Sequence, residues 1–142
     1  MRIERVLAPN PGPYTGSGTN TYVVAFDDFA VVIDPGPIID IHLGAIEHAV
    51  GEATPVAVLV THTHPDHAPA ANPLARRLGV PALGFAPGPA FDPDGLLGDG
   101  DEVSIGAGRL RVVHTPGHTT DHVCYTRGTC SSQAITSWVD RR

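Results

Sequence analysis

Short apolar runs alternate along this chain with polar breaks rich in Gly, Pro and Asp. Residues 22–26 and 29–34 are two such runs on either side of Asp27-Asp28, the pattern of a β-hairpin. Pro35-Gly36-Pro37 stops the second run. Between residues 41 and 50, Ile41, Ala45, Ile46 and Ala49 recur at helical spacing, and Gly51 supplies a stop. His42 and His48 on this helix are expected to face solvent. Residues 56–61 form the next strand candidate. Residues 68–78 predict a second helix despite Pro69 and Pro73, with Arg76 and Arg77 well placed near its C-terminal carbonyls. A short strand over 80–85 and a loop over 86–100 follow. Residues 102–105 and 109–114 read as a hairpin around Gly106-Ala107-Gly108, and 122–126 as a last strand. The alternation predicts an α/β domain with mixed strand directions, without internal repeat or linker.

Composition narrows the class. A chain of 142 residues holds one domain with a small core. Its formal net charge of -6 offers no general attraction to a polyanion, which counts against nucleic acid as ligand. The two cysteines, Cys124 and Cys130, give neither a disulfide framework nor zinc-finger spacing, and Cys124 is expected to pack inside a strand. The opening MRIERV lacks the apolar centre of an export signal, and no stretch is long enough to span a bilayer. The expectation is a cytoplasmic protein with no membrane partner.

The chemistry concentrates in His62-Thr63-His64-Pro65-Asp66-His67, three imidazoles and a carboxylate directly behind the strand at 56–61. His62 and His64 are two apart, so on an extended segment they point the same way. Imidazole and carboxylate suit zinc and other borderline divalent ions, manganese and iron among them. His118 follows a second apolar run, 110–113, inside His114-Thr115-Pro116-Gly117-His118, where Pro-Gly ends the strand. If the two loops meet, His62, His64 and His118 make a three-histidine metal site with an open position for water. Asp66 and His67 would begin a second site. Spacing alone leaves open whether the loops meet.

HTHPDH followed by TPGH resembles the metallo-β-lactamase superfamily, whose pattern is HxHxDH plus a later histidine. The resemblance runs from about Asn10 to about Thr126. Asn10-Pro11-Gly12-Pro13, Gly18-Thr19-Asn20-Thr21-Tyr22 and Val32-Ile33-Asp34-Pro35-Gly36 fit the opening of that fold. Together with THTHPDHAPAA and HTPGHTTDHVCY, they look closest to the β-lactamase-like protein 2 group, which includes RNA-cleaving members. The resemblance implies an αββα sandwich, of which this chain covers roughly the N-terminal half. It implies a hydrolase whose one or two zinc ions are held by His62, His64, Asp66, His67 and His118. Metal-bound hydroxide would attack an ester, thioester, lactam or phosphodiester in a small molecule or an RNA. Asp66 would also orient the nucleophile or accept a proton. Asp34 would support the metal loops from behind; from its residues alone it is as readily a turn carboxylate. His114 could do the same or face solvent. Tyr14, Thr19, Asn20 and Thr21 fall where the family's opening loop borders the substrate cleft.

The pattern departs from the family after Arg127-Gly128. Residues 129–142 contain no apolar strand ending in the metal-bridging Gly-Asp, and no later metal histidine. A back-translation of this tail read from its third base gives Leu-Leu-Phe-Pro-Gly-Asp-His, so a frameshift near Gly128 is expected rather than a divergent short protein. The division is then a partial domain, 1–128, and an aberrant tail, 129–142. At most one zinc would be well held and activity would be impaired. Half a sandwich would also expose an apolar sheet face, favouring poor solubility or a homo-oligomer. A non-catalytic remnant and a metal-binding interaction module are the alternatives to an enzyme.

Overall fold

The middle strands of the chain are apolar on both faces because each face feeds a different core. In the computed structural model, residues 2–9, 19–63, 68–88, 90–115 and 123–126 are described. They form β1 (Arg2–Leu7), β2 (Asn20–Phe26), β3 (Phe29–Ile33), α1 (Asp40–Val50), β4 (Thr54–Leu59), α2 (Ala71–Leu78), β5 (Ala82–Gly84), β6 (Gly95–Leu96), β7 (Glu102–Ile105), β8 (Gly108–His114) and β9 (Val123–Thr126). A six-stranded sheet runs β1-β2-β3-β4-β5-β6, and a three-stranded sheet runs β7-β8-β9. The first is antiparallel at β1-β2-β3 and parallel from β3 to β6; the second is antiparallel. This is the expected α/β class with mixed strand directions.

Side chains of period two divide the large sheet between two cores. Val23, Ala25, Ala30, Val32, Val58 and Val60 face α1 and α2, which cover them with Leu43, Ile46, Ala49, Leu74 and Ala75. Val24, Val31, Ile33, Ala57 and Leu59 face the other way, against Val103, Ile105, Leu110, Val112, Val123 and Tyr125 of the small sheet. The layers are therefore helices, sheet, sheet. The apolar face expected to lie bare on the large sheet is covered by β7-β8-β9. Along β7 and β8 the alternate residues Glu102, Ser104, Arg109 and Arg111 are exposed, so charge and hydroxyl face outward there.

Three local readings need correction. β1 was not anticipated; its side chains are mostly exposed, and it is held by its ladder to β2, from Arg2↔Ala25 to Leu7↔Asn20. In α1 the buried stripe is His42, Leu43, Ile46, Ala49 and Val50, while Ile41 is 81% exposed. The helix is turned so that one histidine lies inside and the other, His48, outside. α2 starts at Ala71, three residues later than expected, with Pro73 in its first turn, where a missing N–H costs no intrahelical bond. Gly79 closes that helix at φ 70°, donating to the carbonyls of Ala75 and Arg76.

The loop at 86–100 is tied down on one side by a reciprocal amide pair. Asn72 Nδ2 donates to the Asp92 carbonyl at 2.6 Å, and Asp92 N–H donates to Asn72 Oδ1 at 2.8 Å. β6 lies within this stretch, whose Gly, Pro and Asp predict loop throughout.

Candidate metal site

β3 and β4 are parallel neighbours, and the candidate site grows from their carboxyl ends, the usual place for a ligand crevice in such a sheet. Just past β3, Asp34 takes φ 54°, an uncommon conformation for a residue with a Cβ. Its N–H donates to the Leu59 carbonyl at 2.9 Å and its own carbonyl accepts from Thr21 Oγ1 at 2.7 Å. This turn aims the buried carboxylate across to the end of β4. Asp34 Oδ1 accepts from the Thr61 backbone N–H at 2.7 Å, and Oδ2 accepts from Thr61 Oγ1 at 2.5 Å. Asp34 is thus bonded through its carboxylate to Thr61, the residue directly before His62.

The Thr61 hydroxyl also sits 2.9 Å from His62 Nδ1. A hydroxyl has one proton, and here it goes to Asp34, so Nδ1 must carry the hydrogen between the ring and Thr61. His62 is then the Nδ1–H tautomer, with the lone pair on Nε2. That is the form a zinc ligand needs, with its other ring nitrogen donating to an oxygen. The ring is only 2% exposed. Among the described residues no three His, Cys, Asp or Glu side chains come together, so His62 stands there as a single prospective donor whose tautomer suits a metal.

Further bonds gather the flanks of the two histidine stretches. Val123 N–H donates to the Thr61 carbonyl at 2.8 Å, and Tyr125 Oη donates to the Val60 carbonyl at 2.8 Å. Burial first, then the negative charge of Asp34, pushes the Tyr125 phenol well above its ordinary 10.0. It therefore stays protonated and donating. On the other flank, Ala70 N–H donates to the Gly36 carbonyl at 2.8 Å. His114, at the end of β8, stacks on Phe85 with ring centroids 4.3 Å apart and 11° between planes, and its N–H meets Asp99 Oδ1 at 2.8 Å. His114 therefore joins β8 to the end of β5 and is half-buried. Thr115 Oγ1 lies 3.4 Å from the sulfur of Cys124, which is buried in β9 as expected.

Of the residues singled out from the sequence, Asp34 and His62 are thus brought together through Thr61. His64, Asp66, His67, His118 and Tyr14 lie outside the described residues, as does the tail at 129–142. Thr19, Asn20 and Thr21 are buried, and the Thr21 hydroxyl is engaged internally, so this part of the opening segment does not line an open cleft. Sequence reasoning missed Thr61 and Thr21 as hydrogen-bonding residues, although a hydroxyl directly preceding HTH was a visible cue for the first. It also misplaced His42, which is 1% exposed and puts Nε2 at 2.8 Å from Thr21 Oγ1.

Residues 14–131 match the family model described as "Metallo-beta-lactamase superfamily". The chain belongs to this superfamily. Among curated relatives, an atrochrysone carboxyl ACP thioesterase of Aspergillus chevalieri is 33% identical over 127 residues, 87% of this chain and 41% of the relative. A beta-lactamase-like protein 2 homolog of Caenorhabditis elegans is 26% identical over 129 residues, 84% of this chain and 44% of the relative. Among solved structures, ETHE1 from Myxococcus xanthus superposes with a TM-score of 0.74 at 29% identity, covering 90% of this chain and 54% of that one. The BLEG-1 B3 metallo-beta-lactamase superposes with a TM-score of 0.70 at 26% identity, covering 89% and 67%. The chain spans about two fifths of the length of the curated relatives it matches. Fold and hydrolase-like superfamily are therefore established. No helix among the described residues is long and apolar enough to cross a membrane.

Proposed function

We propose that this chain carries the zinc-binding part of a hydrolase that cleaves an acyl bond, a thioester first among the candidates. The observation that carries the reading is the Asp34–Thr61–His62 relay, which sets a buried imidazole in the Nδ1–H form with its lone pair on Nε2. His64 and His118 are proposed to complete a three-histidine set, with Asp66 and His67 as donors toward a second ion. Val123 N–H on the Thr61 carbonyl supports this, because it ties the strand that follows His118 to the residue preceding His62. A zinc ion there supplies Lewis acidity toward a carbonyl and activates water near neutral pH. Asp66 is proposed to orient that nucleophile and accept its proton.

A thioester is favoured because relatives at 31–34% identity are named thioesterases. An RNA substrate is disfavoured by the net charge of -6.

His62, His64 and His118 give three donors at one site, whereas Asp66 and His67 alone give two at the other. The expected stoichiometry is thus one firmly held zinc per chain, read by equilibrium dialysis and elemental analysis. Two firmly held ions would overturn that assignment. Purified protein loaded with zinc should cleave an acyl-cysteamine thioester, and His62→Ala should lose both zinc and cleavage. Zinc bound without turnover of thioester, ester, lactam or phosphodiester would leave a binding module and refute the enzymatic reading.

A further inference from the structure

Two buried Thr–His pairs hold Asp34 from opposite sides. Thr61, paired with His62, bonds its carboxylate; Thr21, paired with His42, bonds its carbonyl. The second pair lies on α1 and β2, outside the histidine motif and outside the relay used above. We propose that His42 is a positioning residue for the metal site, acting on His62 through the Thr21 hydroxyl and the Asp34 main chain. This rests on the reading of His62 as a metal ligand.

The proton count fixes the direction of each bond. Thr21 Oγ1 donates its single hydrogen to the Asp34 carbonyl at 2.7 Å. The 2.8 Å contact to His42 Nε2 must therefore be donated by the ring. His42 is then an Nε2–H imidazole toward Thr21, with Nδ1 buried on the side of the Pro35 carbonyl. Burial agrees, lowering its pKa below 6.5 with the Pro35 carbonyl offsetting only part of the effect. With Nε2–H against its lone pair, the Thr21 hydroxyl is held as a donor toward Asp34.

Asp34 needs such holding. Its φ of 54° is unfavourable for a non-glycine residue, and surroundings must over-determine it. The Leu59 carbonyl fixes its N–H and Thr21 fixes its carbonyl, so the plane of the following peptide and the aim of the carboxylate are set together. Removing the His42 donor frees the Thr21 hydroxyl to rotate and leaves a buried oxygen lone pair unsatisfied. The carboxylate then loses its fixed register on Thr61, and Thr61 no longer enforces the Nδ1–H form of His62.

The test is long-range proton–nitrogen NMR of the metal-free full chain, which reads the tautomer of each histidine without requiring activity. In the unaltered protein His42 should be Nε2–H and His62 Nδ1–H. His42→Leu should turn His62 into a mixture of tautomers, and Thr21→Val should do the same at nearly constant volume. His42→Gln, whose amide N–H reaches about the same point, should restore the single Nδ1–H form. A ring that merely fills space would give no such rescue. If His42→Leu fails to fold, Thr21→Val and His42→Gln still carry the comparison. A His62 that stays wholly Nδ1–H in a folded Thr21→Val or His42→Leu protein overturns the inference but leaves the metal-ligand reading intact. A His62 already in the Nε2–H form in the unaltered chain overturns both.

Discussion

Asp34 is where conformation, hydrogen bonding and candidate chemistry coincide. Its carboxylate takes two bonds from Thr61 and decides where the hydroxyl proton points, which in turn decides which nitrogen of His62 carries a hydrogen. Asn at this position tolerates the left-handed backbone almost as well as Asp. Its amide nitrogen, however, would donate to Thr61 Oγ1 and turn the hydroxyl proton toward His62 Nδ1, moving the ring hydrogen to Nε2. Asp34→Asn should therefore fold and yet bind zinc about 10–100-fold more weakly in a competition titration. Affinity equal to that of the unaltered chain would contradict the relay. His42 gives a second, independent expectation. Its folded pKa lies below 6.5, so on acidification the unfolded chain takes the proton first. The stability that neutral burial contributes is complete above pH 6.5 and is lost as pH falls below it. Urea midpoints of the unaltered chain should therefore drop between about pH 7 and 5 more than those of His42→Gln. Parallel curves would show that the ring is not neutral and buried in solution.

Elements were more legible than their faces. The hairpin β2–β3 could be read because Asp27-Asp28 interrupts one apolar run, and in the structure Asp27 turns the chain at φ 52°. Helix α1 is readable in extent but not in orientation, since a histidine reads as polar in a helical stripe. Its burial depends on Thr21, which is 21 residues away. Strand β1 escaped because an exposed edge strand carries no apolar alternation; its pairing with β2 is a long-range fact. The histidine motif was fully visible, whereas the Asp34–Thr61 bonds that aim it bridge 27 residues and leave no local signature. Loop 86–100 shows the same limit, since its Gly and Pro announced irregular chain but not that Gly88 abuts the motif. A Cβ built on Gly88 would lie 2.7 Å from both Cβ and Oγ1 of Thr63, the residue after His62. Gly88→Ala must therefore push the loop or Thr63 aside. We expect a loss of about 1–3 kcal/mol in unfolding free energy together with weaker zinc binding. Thermal melts and the same competition titration would check both, and a variant indistinguishable from the parent in both would refute the close approach.

At the scale of the molecule, the two sheets form one packed unit and not a sheet awaiting a cover. Val31, Ile33 and Leu59 of the large sheet share a core with Ile105, Leu110 and Tyr125 of the small one. The sequence could not show this, because which sheet face meets which is decided by contacts between distant segments, as between Ile33 and Ile105. The large-sheet face expected to lie bare is thus packed against the small sheet among the described residues. Tyr125 is the polar tie within this join, its hydroxyl reaching the Val60 carbonyl two residues before His62. Tyr125→Phe keeps the ring but leaves that carbonyl without the phenol, which should cost about 1–2 kcal/mol of stability at neutral pH. That contribution fades in alkali. The folded phenol ionises well above 10.0 and the unfolded one near 10.0, so the unfolded chain loses its proton first. Stability contributed by the protonated phenol is complete below pH 10 and declines as pH rises above it. The unfolding free energies of the parent and Tyr125→Phe should therefore differ at neutral pH and converge above about pH 10. A gap that persisted unchanged into that range would mean that Tyr125 is not sealed between the sheets, and that the small sheet does not seat the Thr61–His62 corner as described.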